Sequence, residues 1–521
     1  LDVVRAPGDT LLSVGELSLS PSLRPLLDKQ IEVPHITLDR FALNYTDSTG
    51  LSTVKARLPK ASVEELYVDL EKERVDLSRL VTRGGSVSYT STDTTKKEDD
   101  SEPLRWLIRA GEIDLQTTRI DVAMPLDSLF IGAYVTRLRL DRGEADLEKM
   151  RFQIARARIE GRELSYAVDR TPPHTPYFDP SHIHLRDIYL EGESIDSEGM
   201  RLSLLLSRAQ FNERSGLKLH HLSGRYEMDS LGMCLDDFIL DTDGSSMQGA
   251  LTMPWSVLRS DPKAGIELTM KASLGTRDLL LLSYSALDDL PEGKKLLTAI
   301  TRRQLLAPIR LSLETHGTLS ALELTEADLH WPDVVRLSLK GHLTSLLDEH
   351  RRSGKLRLTG QVGAKAQTLL SLISPELSRD YRIPSPMTLS GEVDIRRGVY
   401  KGDLKAVEGS GQVALKGHFT EATKSYGLSL KAEGLDLRHF MPRDSIGRMS
   451  LELDAEGRGF DPLNPRTRLS LRGRVHEASW GSTTLRDVTL DGSLKDGNLG
   501  LSLNSMNPGA NFSLQLDGIF S

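Results

Sequence analysis

The sequence has little of three things: aromatic residues, cysteine and long apolar runs. Phe, Trp and Tyr make up only 5% of its 521 residues, which disfavours a binding surface built on aromatic platforms. The single cysteine, Cys234, excludes an intramolecular disulfide framework and a cysteine-rich zinc module. We expect it to behave as a small buried hydrophobe. No stretch approaches eighteen consecutive apolar residues, so no segment is expected to span a bilayer as a helix.

An excess of positive charge is also missing. The chain carries 66 Lys and Arg against 74 Asp and Glu, a net charge of −8, with both signs interspersed. A nucleic-acid-binding protein would show a basic stripe, so nucleic acid is not an expected partner. The chain begins at Leu1 with neither an initiator Met nor a signal-peptide pattern. We therefore expect a processed form or an excised piece of a longer protein, with any membrane anchor upstream.

What the sequence does have is leucine, in alternation with polar residues. Successive side chains of a β-strand point to opposite faces, so this pattern predicts strands with one apolar and one polar face. Antiparallel sheets tolerate such strands. The leucines predicted to share the apolar face are Leu311, Leu313, Leu337, Leu339, Leu356, Leu358, Leu428, Leu430, Leu451, Leu453, Leu469, Leu471, Leu499, Leu501, Leu503, Leu514 and Leu516. Their neighbours Arg357, Ser429, Glu452, Ser470 and Gln515 are predicted to face water.

Turn sequences such as Asp496-Gly497 recur every ten to fifteen residues or so in the C-terminal half, which indicates a long antiparallel meander. Apolar residues at helical spacing predict a few short helices, at 103–110, 278–298 and 364–378. The predicted fold class is thus mainly β: an elongated, curved antiparallel sheet, shaped as a groove, with a few short helices.

An internal repeat is visible. The segment Leu339-Lys-Gly-His-Leu-Thr344 is echoed by Leu415-Lys-Gly-His-Phe-Thr420, and each follows a leucine-rich helical pattern, as expected of tandem units. We predict six segments. These are an N-terminal β segment at 1–89, a polar linker at 90–103, a β-rich middle segment at 104–260, two helix-plus-meander repeats at 261–346 and 347–446, and a C-terminal meander at 447–521.

The two ends of the chain resemble AsmA-like and TamB-type proteins, especially those of Bacteroidota. At the N-terminus the resemblance lies in the strand at 11–20, the turn Pro25-Leu26-Leu27 and the strand at 31–39. At the C-terminus it lies in the segments at 457–462, 485–492 and 494–499.

The resemblance implies a protein of the Gram-negative cell envelope. Such proteins are anchored in the inner membrane by an N-terminal helix, and they cross the periplasm as a long β-sheet with a hydrophobic groove. The family is linked to phospholipid transport to the outer membrane. Its TamB-type members are also linked to outer-membrane biogenesis with a partner barrel of the BamA superfamily, of which TamA is one. This chain would then be a periplasmic fragment that carries phospholipid and uses no cofactor.

Catalytic and metal-binding patterns are sparse. No phosphate-binding loop, dinucleotide fingerprint, nucleophile elbow or zinc-protease motif is present, so no enzyme activity is expected. His182 and His184 share a strand face but lack an evident third ligand. His220 and His221 are adjacent and would face apart. The aspartates at 236, 237, 241 and 243 lack the spacing of a calcium loop and more simply form a solvated acidic rim.

Three other interpretations stay open. Alternating leucines are also the usual core face of a sandwich or barrel. A scaffold that helps outer-membrane proteins assemble through exposed strand edges is the main functional alternative. An extracellular binding or adhesion module would need a filled core and aromatic platforms, which the composition disfavours.

Overall fold

The structure is a computed structural model, and it shows a mainly β protein. Strands account for 73% of the chain and helices for 6%, which confirms the predicted fold class. The structure describes residues 2–6, 9–19, 29–46, 50–92, 105–126, 128–169, 171–173, 177–283, 293, 307–348, 351–444, 446–461, 463–464, 466–508 and 510–519. Among these residues, no helix is long and apolar enough to cross a membrane.

The chain divides into two units, residues 1–251 with 277–294 and residues 252–276 with 295–521. The strands that begin in the first unit are β1 Asp2–Ala6, β2 Asp9–Leu19, β3 Gln30–Thr46, β4 Ser52–Asp69, β5 Arg74–Ser91, β6 Leu107–Met124, β7 Leu129–Asp146, β8 Arg151–Ala167, β9 His182–Glu198, β10 Arg201–Glu213, β11 Lys218–Met228, β12 Gly232–Thr242 and β13 Ser246–Pro254.

The strands of the second unit are β14 Gly265–Leu274, β15 Ile309–Thr318, β16 Ala321–Trp331, β17 Val335–Thr344, β18 Ser353–Val362, β19 Met387–Arg396, β20 Val399–Glu408, β21 Gly411–Thr420, β22 Ser425–Asp436, β23 Ile446–Arg458, β24 Arg468–Trp480, β25 Thr483–Lys495, β26 Asn498–Asn507 and β27 Ala510–Ile519. The described residues include the helices α1 Thr276–Ser283, α2 Ala366–Ile373 and α3 Leu377–Asp380, and 3-10 turns at Trp255–Val257 and Leu437–His439.

In the first unit, consecutive strands are paired from β1 with β2 through to β11 with β12. Every pair is antiparallel except β5 with β6, which is parallel. The helix predicted at 103–110 is therefore wrong where the structure describes it, because Leu107 to Ala110 begin β6 and pair with Arg74 to Leu77. A parallel pair needs a long connection between its strands, and fifteen residues separate Ser91 from Leu107 in the sequence.

In the second unit, β14 to β27 form an uninterrupted antiparallel meander. Adjacent strands of a sheet lie about 4.8 Å apart, so fourteen strands extend about 60 Å across the sheet. The turns between strands use left-handed residues such as Arg397 with Gly398 and Asp496 with Gly497. These are among the turns that the sequence predicted.

The repeated sequence coincides with a structural repeat. The copies Leu339–Thr344 and Leu415–Thr420 lie in β17 and β21, four strands apart. Helical segments connect β18 to β19 and β22 to β23, again four strands apart. The helix predicted at 364–378 corresponds to α2 and α3. Of the helix predicted at 278–298, the structure describes α1 and little beyond it, and most of the predicted linker at 90–103 also lies outside the described residues. The six segment boundaries remain predictions.

Candidate functional site

The register of the second unit places all seventeen predicted leucines on one face of the sheet. Residues that pair directly across antiparallel strands point to the same side. Leu313 pairs with Ala327, which pairs with Leu339, which pairs with Leu358. The same path continues through every later strand and ends where Leu503 pairs with Leu514. We call this side of β14–β27 the leucine face.

Glycines interrupt the leucine face at regular places and make room for the leucines. Gly360 pairs with Leu337 and Leu389, and a Cβ atom at this position would lie 2.7 Å from Leu337 Cδ2. Gly473 and Gly492 have similar neighbours, since an added Cβ would lie 3.1 Å from Leu453 Cδ1 and 3.3 Å from Leu471 Cβ respectively. The branched leucine side chains thus extend over the neighbouring glycines, which carry no side chain of their own. The role of these glycines was missed from the sequence alone.

The predicted leucines are not sealed in a core. All but two are half-buried, and the two on β27, Leu514 and Leu516, are 52% and 48% exposed. A leucine enclosed between two layers would be almost fully covered. The leucine face is therefore accessible over the described strands.

The opposite face of the same sheet is charged. Arg357, Ser429, Glu452, Ser470 and Gln515 are all exposed there, as predicted.

Side chains on this charged face form ion pairs within and between neighbouring strands. Glu392 accepts from Lys355 at 2.7 Å and Arg357 at 2.7 Å, and Lys431 contacts Glu433 at 3.1 Å and Glu452 at 3.3 Å. Hydrogen bonds from the two cations lower the pKa of Glu392. Exposed ion pairs add little stability, but they keep this face of the sheet polar and hydrated.

Apolar side chains close one end of the leucine face. Trp331 and Val334 are buried there, and Leu369 and Leu372 of α2 pack against them. Farther along the same end, Leu435 and Leu437 form a second buried cluster with Ala432.

An aromatic cluster occupies part of the opposite end. Tyr426 and Phe460 stack with ring centroids 5.1 Å apart, and Phe419 lies 5.9 Å from Phe460. Leucines such as Leu428 and Leu430 lie between the two ends.

The first unit has the same division into faces, although its apolar residues were not among those predicted from the sequence. Leu115 pairs with Leu138, then Ile159, then Leu190, through four consecutive strands. The other side of these strands carries a layer of arginines and carboxylates.

Within that layer, Asp114 is 1% exposed, and its carboxylate accepts from Arg137 Nε at 3.0 Å and Nη2 at 2.9 Å. The Arg137 guanidinium holds the pKa of Asp114 below its usual value.

Three clefts lie along the charged faces. One of about 800 Å³ in the first unit is lined by Arg109, Glu144, Asp196 and their neighbours. Two in the second unit, of about 630 and 340 Å³, have Arg472 and Ser470 in common. Each mixes both signs of charge, whereas the leucine face is a continuous apolar strip.

The candidate metal ligands of the sequence do not assemble. Among the described residues, no group of three or more His, Cys, Asp or Glu side chains is placed to hold a metal ion. His182 instead contacts Asp179 at 3.0 Å and Asp169 at 2.9 Å, and Lys218 and His220 contact Asp243. Cys234 is half-buried on the charged face, with Sγ 3.4 Å from a carboxylate oxygen of Asp236, so it is less buried than predicted.

Comparisons with known proteins identify no relative. No protein-family model matches the chain, no curated protein is similar to it in sequence, and no solved structure is similar to it in fold. The resemblance to AsmA-like and TamB-type proteins therefore stays an expectation from sequence. The function must be inferred from the apolar and charged faces of the sheet.

Proposed function

We propose that the protein is a non-enzymatic lipid carrier whose leucine face holds the acyl chains of phospholipids. The continuous, uncovered apolar strip across β14–β27 is the observation that carries the proposal. Acyl chains lie along the strip, and the head groups remain in water at its open side. Energy and direction for transfer come from elsewhere. In line with the resemblance, the site of action is the periplasm, between an inner-membrane anchor outside this chain and the outer membrane.

The energetics favour acyl chains as ligands. Each CH₂ group removed from water contributes about 0.8 kcal/mol, so a long chain gains several kcal/mol even when only half covered. Leucine side chains make no directional bonds, so a chain that moves by one strand meets the same surface. The half-buried leucines and the glycines between them supply that uniform surface over about 60 Å of sheet.

A second candidate is a scaffold for outer-membrane protein assembly with a BamA-superfamily barrel. One observation bears on it: within the described residues β27 pairs only with β26. Phe512, Leu514 and Leu516 on this strand are exposed. An unpaired, apolar edge strand is a template for pairing with another chain. This candidate requires the edge of one strand, whereas the lipid carrier requires the whole face.

Organic extraction of the purified chain followed by mass spectrometry tests the proposal directly. Bound phospholipid in stoichiometric amount is the expected result. The matched variants are Leu501→Asp, on the leucine face, and Ser502→Asp, the next residue on the charged face. We expect the first to lose most of the lipid and the second to keep it. Equal lipid content in two folded variants, or no lipid in the unaltered protein, would show that the leucine face is not the binding surface.

A further inference from the structure

The helical connections after β18 and β22 join into one structure, which we call the helical rim (residues 363–383 and 437–444). Gln367 fixes the turn from α2 to α3, because its side chain donates to the carbonyl of Tyr381 at 3.2 Å and accepts from Ile383 N at 2.8 Å. The two connections also touch. Arg382 N donates to the carbonyl of Phe440 at 2.7 Å, and Arg443 pairs with Asp380 at 3.3 Å.

One side of the helical rim already has its apolar partners. Leu369 and Leu372 of α2 pack on Trp331 and Val334, and Phe440 and Met441 pack in the cluster around Leu435. These contacts join the rim to one end of the leucine face.

A second set of apolar side chains on the rim has no such cover. Ile373 is 59% exposed, Leu377 is 52% exposed and Tyr381 is 48% exposed. Leu377 and Tyr381 are four residues apart, and the backbone N–H of Tyr381 donates to the carbonyl of Leu377 at 2.9 Å, as in a helical turn. Residues at this spacing lie on the same side of a helical turn. Exposed apolar groups that are not needed for internal packing mark a surface that another phase or partner covers.

Positive charge accompanies this patch. The rim contains five basic residues (Lys365, Arg379, Arg382, Arg438, Arg443) and three acidic ones (Glu376, Asp380, Asp444), a net charge of +2 in a chain whose total is −8. Within the described residues, Arg379 and Arg382 are exposed and form no ion pair. Apolar side chains with a tyrosine and unpaired arginines beside them are the composition of segments that lie in a membrane interface.

We propose that the helical rim docks on the surface of a bilayer that contains anionic phospholipids. Ile373, Leu377 and Tyr381 enter the boundary between head groups and acyl chains, and Arg379 and Arg382 pair with lipid phosphates. The proposal deepens the lipid-carrying function and rests on it, because the rim packs directly on one end of the leucine face. Docking would hold the leucine face beside the bilayer that supplies its acyl chains.

Vesicle flotation with the full chain tests the docking. Phosphatidylcholine vesicles with or without phosphatidylglycerol are the probes. We expect the unaltered protein to float only with the anionic vesicles. The triple variant Ile373→Ser, Leu377→Ser, Tyr381→Ser is expected to lose at least tenfold in binding, and the double variant Arg379→Glu, Arg382→Glu is expected to lose it entirely.

A matched control removes exposed apolar side chains elsewhere: Met200→Ser with Leu231→Ser, at two exposed positions of the first unit. This variant should float like the unaltered protein. Failure of the unaltered protein to float, or normal flotation of the triple variant, would overturn the docking proposal. Sedimentation that shows a dimer dispersed by the triple variant would overturn it too, since a second copy would then be the occupant.

Mass spectrometry of the same preparations separates the two proposals. Protein that carries phospholipid but does not float refutes the rim and leaves the lipid carrier standing. Protein that floats through the rim but carries no lipid refutes the lipid carrier instead. Because every altered residue is exposed, thermal unfolding at the unaltered midpoint should verify that each variant is folded.

Discussion

Gly402 permits a change to the leucine face that does not disturb its packing. This residue lies in β20 and pairs with Val393 and Gly417 on the leucine face. A Cβ atom added there would meet no heavy atom within 4 Å, and the residue is not among those with positive φ. Gly402→Asp therefore places a carboxylate on the apolar strip without creating a cavity. Replacing a leucine by Asp would add the carboxylate and also leave a cavity.

The size of the effect follows from the two responses open to an acyl chain. If the chain leaves the carboxylate in water, it gives up contact for at least two CH₂ groups, a loss of about 1.6 kcal/mol. If it covers the carboxylate, the group must be protonated, and at pH 7.4 an ordinary Asp with a pKa near 3.9 needs about 5 kcal/mol for this. The smaller value already corresponds to about a tenfold loss in affinity at that position.

The assay is transfer of a fluorescent phospholipid between donor and acceptor vesicles, with Gly402→Leu as the matched variant. We expect Gly402→Asp to slow transfer at least tenfold, because every acyl chain that moves along the strip must pass β20. Gly402→Leu adds bulk of the same polarity as the strip and should transfer normally. If both variants fold and both transfer at the unaltered rate, the leucine face is not the path.

Three further predictions concern stability. Hydrogen bonds from Arg438 lower the pKa of Asp436 to about 2. The ionised Asp436 therefore contributes about 1 to 2 kcal/mol to the free energy of unfolding above pH 3.8, and this contribution is lost as the pH falls toward 2. Thermal unfolding of Asp436→Asn should depend less on pH in this range than that of the unaltered protein, and equal pH dependence would contradict the assignment. Leu494, 7% exposed, should cost about 2 to 3 kcal/mol when replaced by Ala, and Leu514, 52% exposed, less than about 1 kcal/mol, as measured by urea unfolding. In the same assay Gly391→Ala should cost about 1 to 3 kcal/mol, because its Cβ would lie 2.5 Å from a backbone oxygen of β20.

The leucine face was predictable because its strands keep a period of two through the segments that carry the predicted leucines. In β17 the residues at 335, 337, 339, 341 and 343 all point to one side, and each pairs with an apolar residue or glycine of β18. A period of two fixes the set of residues that share a face, whatever the neighbouring strand is. Pairing of sequential strands through short turns then extends the face from strand to strand.

The first unit was less predictable because left-handed residues shift the period within its long strands. In β3, Arg40 has a φ of 54°, and the apolar series moves from Ile36 and Leu38 to Phe41 and Leu43. Thr117 has the same effect in β6, where it separates Leu115 from Ile120 by five residues on one face. Each such residue acts as a bulge that inserts one position. The alternation of apolar and polar residues in the sequence shifts by one position there, although the apolar face of the sheet continues.

The separation of the two faces explains how a sheet with an uncovered apolar side stays in register. A slip of β21 by one residue against β20 would bring Lys416 to the leucine face and Leu415 to the charged one. The desolvation of charged groups opposes that slip, so the ion pairs act on register more than on net stability. Register set in this way needs no second layer on the leucines. The described residues leave the leucines accessible, and the acyl chains of the proposed ligand would cover them without requiring a fixed position along the strip.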